Sequence, residues 1–293
     1  MFIVESITKM IRTREFFFKT LCGTITIVTC MVVFACVLVL RYRSLSETCE
    51  ETLVETWKDM FDDPLRPELV DCRQLFSKPT TDEDFYTSSF LEHRRHFNAI
   101  LNKTKNRQWR MEGHSGEVRS QSRLYYWLSR RPWVKTICEI GFNAGHSTLQ
   151  WLAASDDVIV YSFDLGNHAY TRPMAAYFSQ TFLGRFHLNI GDSLKTVPLF
   201  TRNHPDVKCD VLVVDGGHSY EVAYGDLVNM RALANRNHHV LIFDDYPGLS
   251  DLLPELGLAW DRLRSEGYVV DKYACAEGPT RKRGFVVGYY IFN

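Results

Sequence analysis

From Arg131 onward the apolar positions fall in short runs separated by longer mixed stretches: "TICEIG", "VIVYSFD", "RFHLNI", "DVLVVDG", "HHVLIFDD", "GYVVDKYA" and "GFVVGYYIF". The runs are apolar on both faces, and the stretches between the first six carry helical spacing. That pattern predicts a parallel sheet covered by helices on both sides. Only "CAEGPTRKR" separates the last two runs, too little for a crossover helix, so they are expected to form an antiparallel hairpin. The expected fold class is α/β: a doubly wound, seven-stranded, mostly parallel sheet with an antiparallel last strand.

Upstream, "SSFLEHRRHFNAILN" places Phe90, Leu91, Phe97, Ile100 and Leu101 at helical spacing, with the basic cluster "HRRH" read as a solvated face. The stretch 44–84 is charge-rich, contains Pro64, Pro67 and Pro79, and reads as a spacer. Thr20 to Leu40 has no charged residue, and 21 residues in a helix extend about 31 Å, one hydrocarbon thickness. This run is expected to be a retained signal-anchor helix. Lys9, Arg12, Arg14 and Lys19 precede it, against Arg41 and Arg43 after it, which favours a cytoplasmic N-terminus and a lumenal body. The reading is a single-pass type II protein of the ER or Golgi, with a tail at 1–19, an anchor at 20–40, a stem at 41–84 and a main domain at 85–293. The sequon "NKT" at Asn102 agrees with a lumenal body.

Composition narrows this further. A chain of 293 residues, 45% hydrophobic, can bury one substantial core, and a net charge of -1 argues against nucleic acid as a partner. Of eight cysteines, Cys22, Cys30 and Cys36 fall in the apolar span. Cys49 and Cys72 flank an acidic stretch and are candidates for a disulfide, whereas Cys138 and Cys209 are expected to be reduced core residues. No pair has zinc-type spacing.

Carboxylates gather at the ends of the predicted strands: Glu139, Asp164, Asp215, Asp244 and Asp245, with Asp192 just after the third. Ligands of such sheets bind there, beyond the carboxyl ends of the strands. The first strand runs into "EIGFNAGHS". Gly141 and Gly145 enclose three residues and His146 stands where a P-loop needs lysine, so nucleotide hydrolysis is disfavoured. The dinucleotide pattern GxGxxG is absent as well, leaving ExGxxxGxS.

That motif resembles motif I of the class I S-adenosylmethionine-dependent methyltransferases, and residues 109–293 resemble the O-methyltransferases of the catechol and caffeoyl-CoA type and the methyltransferase 24 group, whose "DGxHxY" is matched by "DGGHSYE". The resemblance implies S-adenosylmethionine as cofactor, with Glu139, Gly141, Gly145, Ser147, Asp164, Asp192, Ser193 and Asp215 in its site. Gly141 and Gly145 would admit the methionine part, Ser147 its carboxylate, Asp164 the ribose hydroxyls, and Asp192 and Ser193 the adenine. Asp215 would serve both cofactor and metal. "MEGHSG" at 111–116 is similar to the segment that covers the cofactor.

In metal-dependent members, acidic residues at the positions of Asp215, Asp244 and Asp245 hold one divalent ion, Mg²⁺ or Mn²⁺, although the catechol type carries asparagine in place of Asp245. His218, three residues after Asp215, stands where the catechol type has a lysine, and is the expected general base. The expected acceptor is a hydroxyl on a small molecule or sugar. Two other readings stay open: a Golgi glycosyltransferase whose metal motif would be "DED" near Asp82, and a catalytically silent membrane-anchored scaffold.

Overall fold

A computed structural model describes residues 70–72, 78, 80–104, 114–246, 255–277 and 283–292. All lie in the second of the two units into which the chain divides, Asp63–Asn293. The expected tail, anchor, most of the stem and Cys49 lie outside the described residues. Among the described residues no helix is long and apolar enough to cross a membrane.

Eight strands are described: β1 (Val70–Asp71), β2 (Thr136–Ile140), β3 (Ile159–Asp164), β4 (Phe186–Ile190), β5 (Val211–Val214), β6 (Val240–Asp244), β7 (Val269–Glu277) and β8 (Arg283–Tyr290). The helices are α1 (Asp82–Phe85), α2 (Ser88–Thr104), α3 (Arg119–Ser129), α4 (His146–Ala154), α5 (Thr171–Thr181), α6 (Ser193–Asn203), α7 (Tyr220–Met230) and α8 (Glu255–Ser265). They form one sheet in the order β1-β7-β8-β6-β5-β2-β3-β4. The seven expected strands are all present, and β8 runs antiparallel to both neighbours. From β2 the chain winds outward through β3 and β4, then returns to place β5 on the other side of β2. The carboxyl ends of β2 and β5 therefore flank the switch point.

The central strands read as continuous apolar runs because helices cover both faces. Leu212, Val214, Leu241 and Phe243 are buried against Leu227 of α7 and Trp260 of α8. Each such side chain contributes about 1.5–3 kcal/mol of burial, enough to hold a helix whose own propensity is modest. Trp260 also donates through Nε1 to Asp271 Oδ1 at 2.7 Å, which satisfies its one polar atom.

Both cysteine expectations change. Cys72 is bonded to Cys275, 203 residues away, because the short strand β1 adds in parallel to the outer edge of β7 and brings the two Cα atoms to 4.9 Å. Cys138 and Cys209 are disulfide-bonded rather than reduced. Pairing of Ile137 with Val211 sets β2 beside β5, with Cys138 and Cys209 at adjoining positions, Cα atoms 5.8 Å apart. Spacing along the chain carries no trace of either neighbour. The "HRRH" face is also more engaged than expected: His93 packs on Phe182, His96 on Tyr177, and Arg94 pairs with Asp82 at 2.8 Å.

His238 and His239 open β6 and fasten the far end of the sheet. Asp210 accepts from the backbone N–H groups of Lys135 and Thr136, from Asn235, and pairs with His238 Nε2 at 3.0 Å. His239 is buried, its Nδ1–H donating to Asn235 O at 2.7 Å and its Nε2 accepting from Tyr290 N at 2.8 Å. Burial pushes its pKa down to about 4. The unfolded chain, with histidine near about 6.5, binds the proton first, so stability from neutral His239 is full above that value and is lost as pH falls through the folded value. The gap corresponds to about 3 kcal/mol. Urea midpoints measured from pH 7 to 4 are expected to fall more steeply for the wild type than for His239→Gln, and parallel curves would exclude this role.

Candidate active site

β2 ends at Ile140 and the chain turns through Gly141, whose φ of +98° and contact surroundings exclude a side chain. A Cβ there would lie 1.7 Å from the carbonyl oxygen of Asp215. The glycine is thus demanded by the close approach of the β2 and β5 ends. Asn143 follows with φ +51°, and Gly145 N-caps α4 at φ +90°. A Cβ at Gly145 would meet the rings of Phe178 at 2.4 Å and Phe142 at 2.8 Å. Gly145 therefore serves aromatic packing beneath the loop.

A cavity of about 680 Å³ opens over these turns. Gly141, Asp164, Asp192, Ser193, Asp215, His218 and Asp245 all line it, so the fold gathers seven expected site residues from the ends of β2, β3, β4, β5 and β6. Asp164 is locked from two sides: the backbone N–H of Asn143 donates to Oδ2 at 2.7 Å and that of Gly166 to Oδ1 at 2.6 Å. Each oxygen retains a lone pair for a further donor. Asp192 caps α6 by accepting from Leu194 N at 3.0 Å. Under the same wall Asp226 is fully buried, its carboxyl pushed up to about 6 by burial against the pull of the Ser193 hydroxyl.

Three expected cofactor residues do not line the cavity. Glu139 is buried under β2 and accepts from Thr148, from Ser162 Oγ at 2.7 Å and from Trp151 Nε1 at 3.1 Å. Burial raises its pKa, opposed by these bonds and by one from Ser147. Glu139 and Ser147 thus buttress α4 against the sheet. Gly145 acts through the Phe142 and Phe178 rings, as above. The loop after β3 supplies wall residues that the strand-end pattern missed, Leu165, Asn167 and His168. Their only signal is that they directly follow Asp164.

The expected metal ligands divide. Asp215 and Asp245 face the large cavity, whereas Asp244 is buried at a gap of about 10 Å³ behind it, which it shares with Asp215, His218 and Asp245. That gap is about the size of one water. Among the described residues no group of three or more His, Cys, Asp or Glu side chains is disposed to hold a metal ion. The charges of Asp244 and Asp215 instead fall on Tyr125, whose pKa is raised well above its usual value by burial first and then by these carboxylates.

His218, the expected base, reaches the cavity wall. Its side chain is 44% exposed and lines the cavity, and its Nε2 is 3.4 Å from Asp245 Oδ2. It does not cap α7, because Ser219 does so by accepting from Val222 N at 3.3 Å. Of the covering segment 111–116, residues 111–113 lie outside the described residues. His114 stacks on His146 at the start of α4, ring centroids 3.4 Å apart. The glycosyltransferase motif does not survive: Asp82 faces Arg94, Arg119 and Arg123, and Asp84 bonds the cap residue Thr81.

The switch-point cavity, its glycine floor and its strand-end carboxylates sit on a fold shared with solved methyltransferases. Similar folds include the methyltransferase PaMTH1 of Podospora anserina bound to SAH, 16% identical over 75% of this chain and 92% of that one, with a TM-score of 0.51. An O-methyltransferase from Bacillus cereus in complex with SAH is 14% identical over 80% and 99%, with a TM-score of 0.50. The O-methyltransferase TomG from Streptomyces achromogenes, involved in tomaymycin synthesis and solved with SAM, is 14% identical over 74% and 94%, with a TM-score of 0.52. No curated protein matches the sequence. The family model described as "Methyltransferase domain", of the methyltransferase 24 group, matches residues 138–246, from the middle of β2 to just past β6. Residues 138–246 thus match a methyltransferase domain, set in a fold shared with solved SAM- and SAH-bound methyltransferases.

Proposed function

We propose that this enzyme methylates a hydroxyl of a small molecule or sugar, from a body held on the lumenal side of a membrane by the span at 20–40. The observation that carries the chemistry is the 680 Å³ cavity, which has locked carboxylate Asp164 on one wall and the partly exposed imidazole of His218 on another. S-adenosylmethionine bound there would supply an electrophilic methyl group. Asp164 is suited to accept from the vicinal ribose hydroxyls, Asp192 and Ser193 to face the adenine, and Asp215 to face the cationic methionine end. His218 takes the proton of the acceptor hydroxyl. The solved likeness to TomG, a protein of small-molecule synthesis, supports a small acceptor.

Lumenal placement is supported by the disulfides Cys72–Cys275 and Cys138–Cys209, since such bonds persist in oxidising compartments. Asn102 is exposed at the last turn of α2, as a glycan acceptor must be. The test is a methyl-transfer screen of sugars and phenols with the full chain in sealed microsomes. Methyl transfer to a hydroxyl is expected, with the body spared by added protease and Asn102 shifting on glycosidase treatment. No transfer to any acceptor despite tight cofactor binding would favour a silent scaffold, and digestion without detergent would reverse the topology.

A further inference from the structure

Asp245 is the residue whose placement departs furthest from the duty its position in the sequence suggests. It follows β6 directly and takes φ +58°, a left-handed backbone that non-glycine residues rarely adopt and that, when found, clusters at functional sites. The next residue is pinned, with Tyr246 N donating to Gly284 O at 3.1 Å, which fixes the loop against β8. In this conformation Asp245 Oδ2 lies 3.4 Å from His218 Nε2. The pair is asymmetric: the Asp245 side chain is 8% exposed and the His218 side chain 44%. A buried carboxylate beside an open imidazole is the arrangement of an orienting group behind a reactive one.

The turn that carries His218 is equally constrained. A Cβ at Gly216 would lie 2.9 Å from Asp226 Oδ2 and from Ile140 Cγ2, and one at Gly217 would lie 2.8 Å from Val222 Cγ1. A side chain at either position would have to displace these neighbours. The backbone of His218 is therefore delivered to one place, and its ring is left with χ freedom that a second contact must remove.

We propose that Asp245 is a positioning residue for His218, accepting its Nε2–H and so fixing both ring orientation and tautomer. The other nitrogen, Nδ1, then keeps its lone pair as the proton acceptor. This rests on the proposed role of His218 as base. It assigns to the acidic end of β6 the alignment of a side chain in place of the coordination of an ion.

The experiment uses the full chain, wild type and two variants, Asp245→Gly, which retains the left-handed backbone, and Asp245→Asn, which retains the size. Asp245→Gly is expected to lower kcat about 10- to 100-fold with KM for S-adenosylmethionine within about twofold. Combined with His218→Ala it is expected to add no further loss, because the two residues act as one unit. The ¹⁵N signals of the His218 ring are expected to move in Asp245→Gly, a readout that needs no acceptor and therefore stands even if no methyl transfer is found. Unchanged ring signals, or losses that multiply in the double variant, would overturn the pair. Tight Mn²⁺ binding to the wild type that Asp245→Gly and Asp245→Asn both lack would overturn it in favour of a metal ligand.

Discussion

Replacing His218 by alanine is expected to cut kcat by about 10² to 10⁴, the usual cost of a lost acid-base group, while cofactor affinity stays near wild type. The reason lies in how little else the ring does. Its side chain is 44% exposed in the cavity wall. The α7 cap is carried by Ser219, so truncation leaves the helix start intact. An alkoxide-forming hydroxyl needs a group that can take its proton, and the His218 imidazole stands open to the cavity to do so. Turnover on the acceptor found in the screen, together with calorimetric affinity for S-adenosylmethionine, checks the split. Near wild-type turnover would remove His218 from the reaction, and lost cofactor affinity would move it to the binding wall.

Gly141→Ala is expected to abolish cofactor binding and to destabilise the fold by about 2–5 kcal/mol, combining left-handed strain with overpacking. The added methyl would sit 1.7 Å from the Asp215 carbonyl oxygen, so β5 must shift at its carboxyl end. Asp215, Gly216, Gly217 and His218 all line the cavity just beyond that point. Gly184→Ala is the control. Its φ is +73° but nothing lies within 4 Å of the new methyl, so only the strain of about 1–2 kcal/mol is expected, with cofactor affinity unchanged. Urea unfolding and calorimetry on the two variants measure both effects. Equal affinities would show that the β2–β5 contact does not shape the site. Gly145→Val is expected to lose cofactor binding by a different route, through displacement of the Phe142 and Phe178 rings.

Much of this protein was legible from one dimension, because strands buried on both faces must be apolar throughout and crossover helices must separate parallel strands. Alternation of those runs determined the sheet, the antiparallel β8 and the strand ends where Asp164, Asp192, Asp215 and His218 stand. The motif "EIGFNAGHS" pointed to the cofactor class through its resemblance to methyltransferase motif I, and its Gly141 stands at the cavity floor. Tertiary structure alone decided what each carboxylate faces. Glu139 and Asp164 both belong to strand ends, yet Glu139 points into hydroxyl and indole donors beneath α4 while Asp164 stands at the cavity wall. A strand alternates its side chains between faces, and which face carries the ligand depends on the helices packed there, not on the strand. The disulfides follow the same logic, for Cys72 meets Cys275 across 203 residues and Cys138 meets Cys209 across 71. Strand order, which no local pattern encodes, set those meetings. It also set the approach of Asp245 to His218, two residues on neighbouring strand ends whose partnership exists only once β5 and β6 lie side by side.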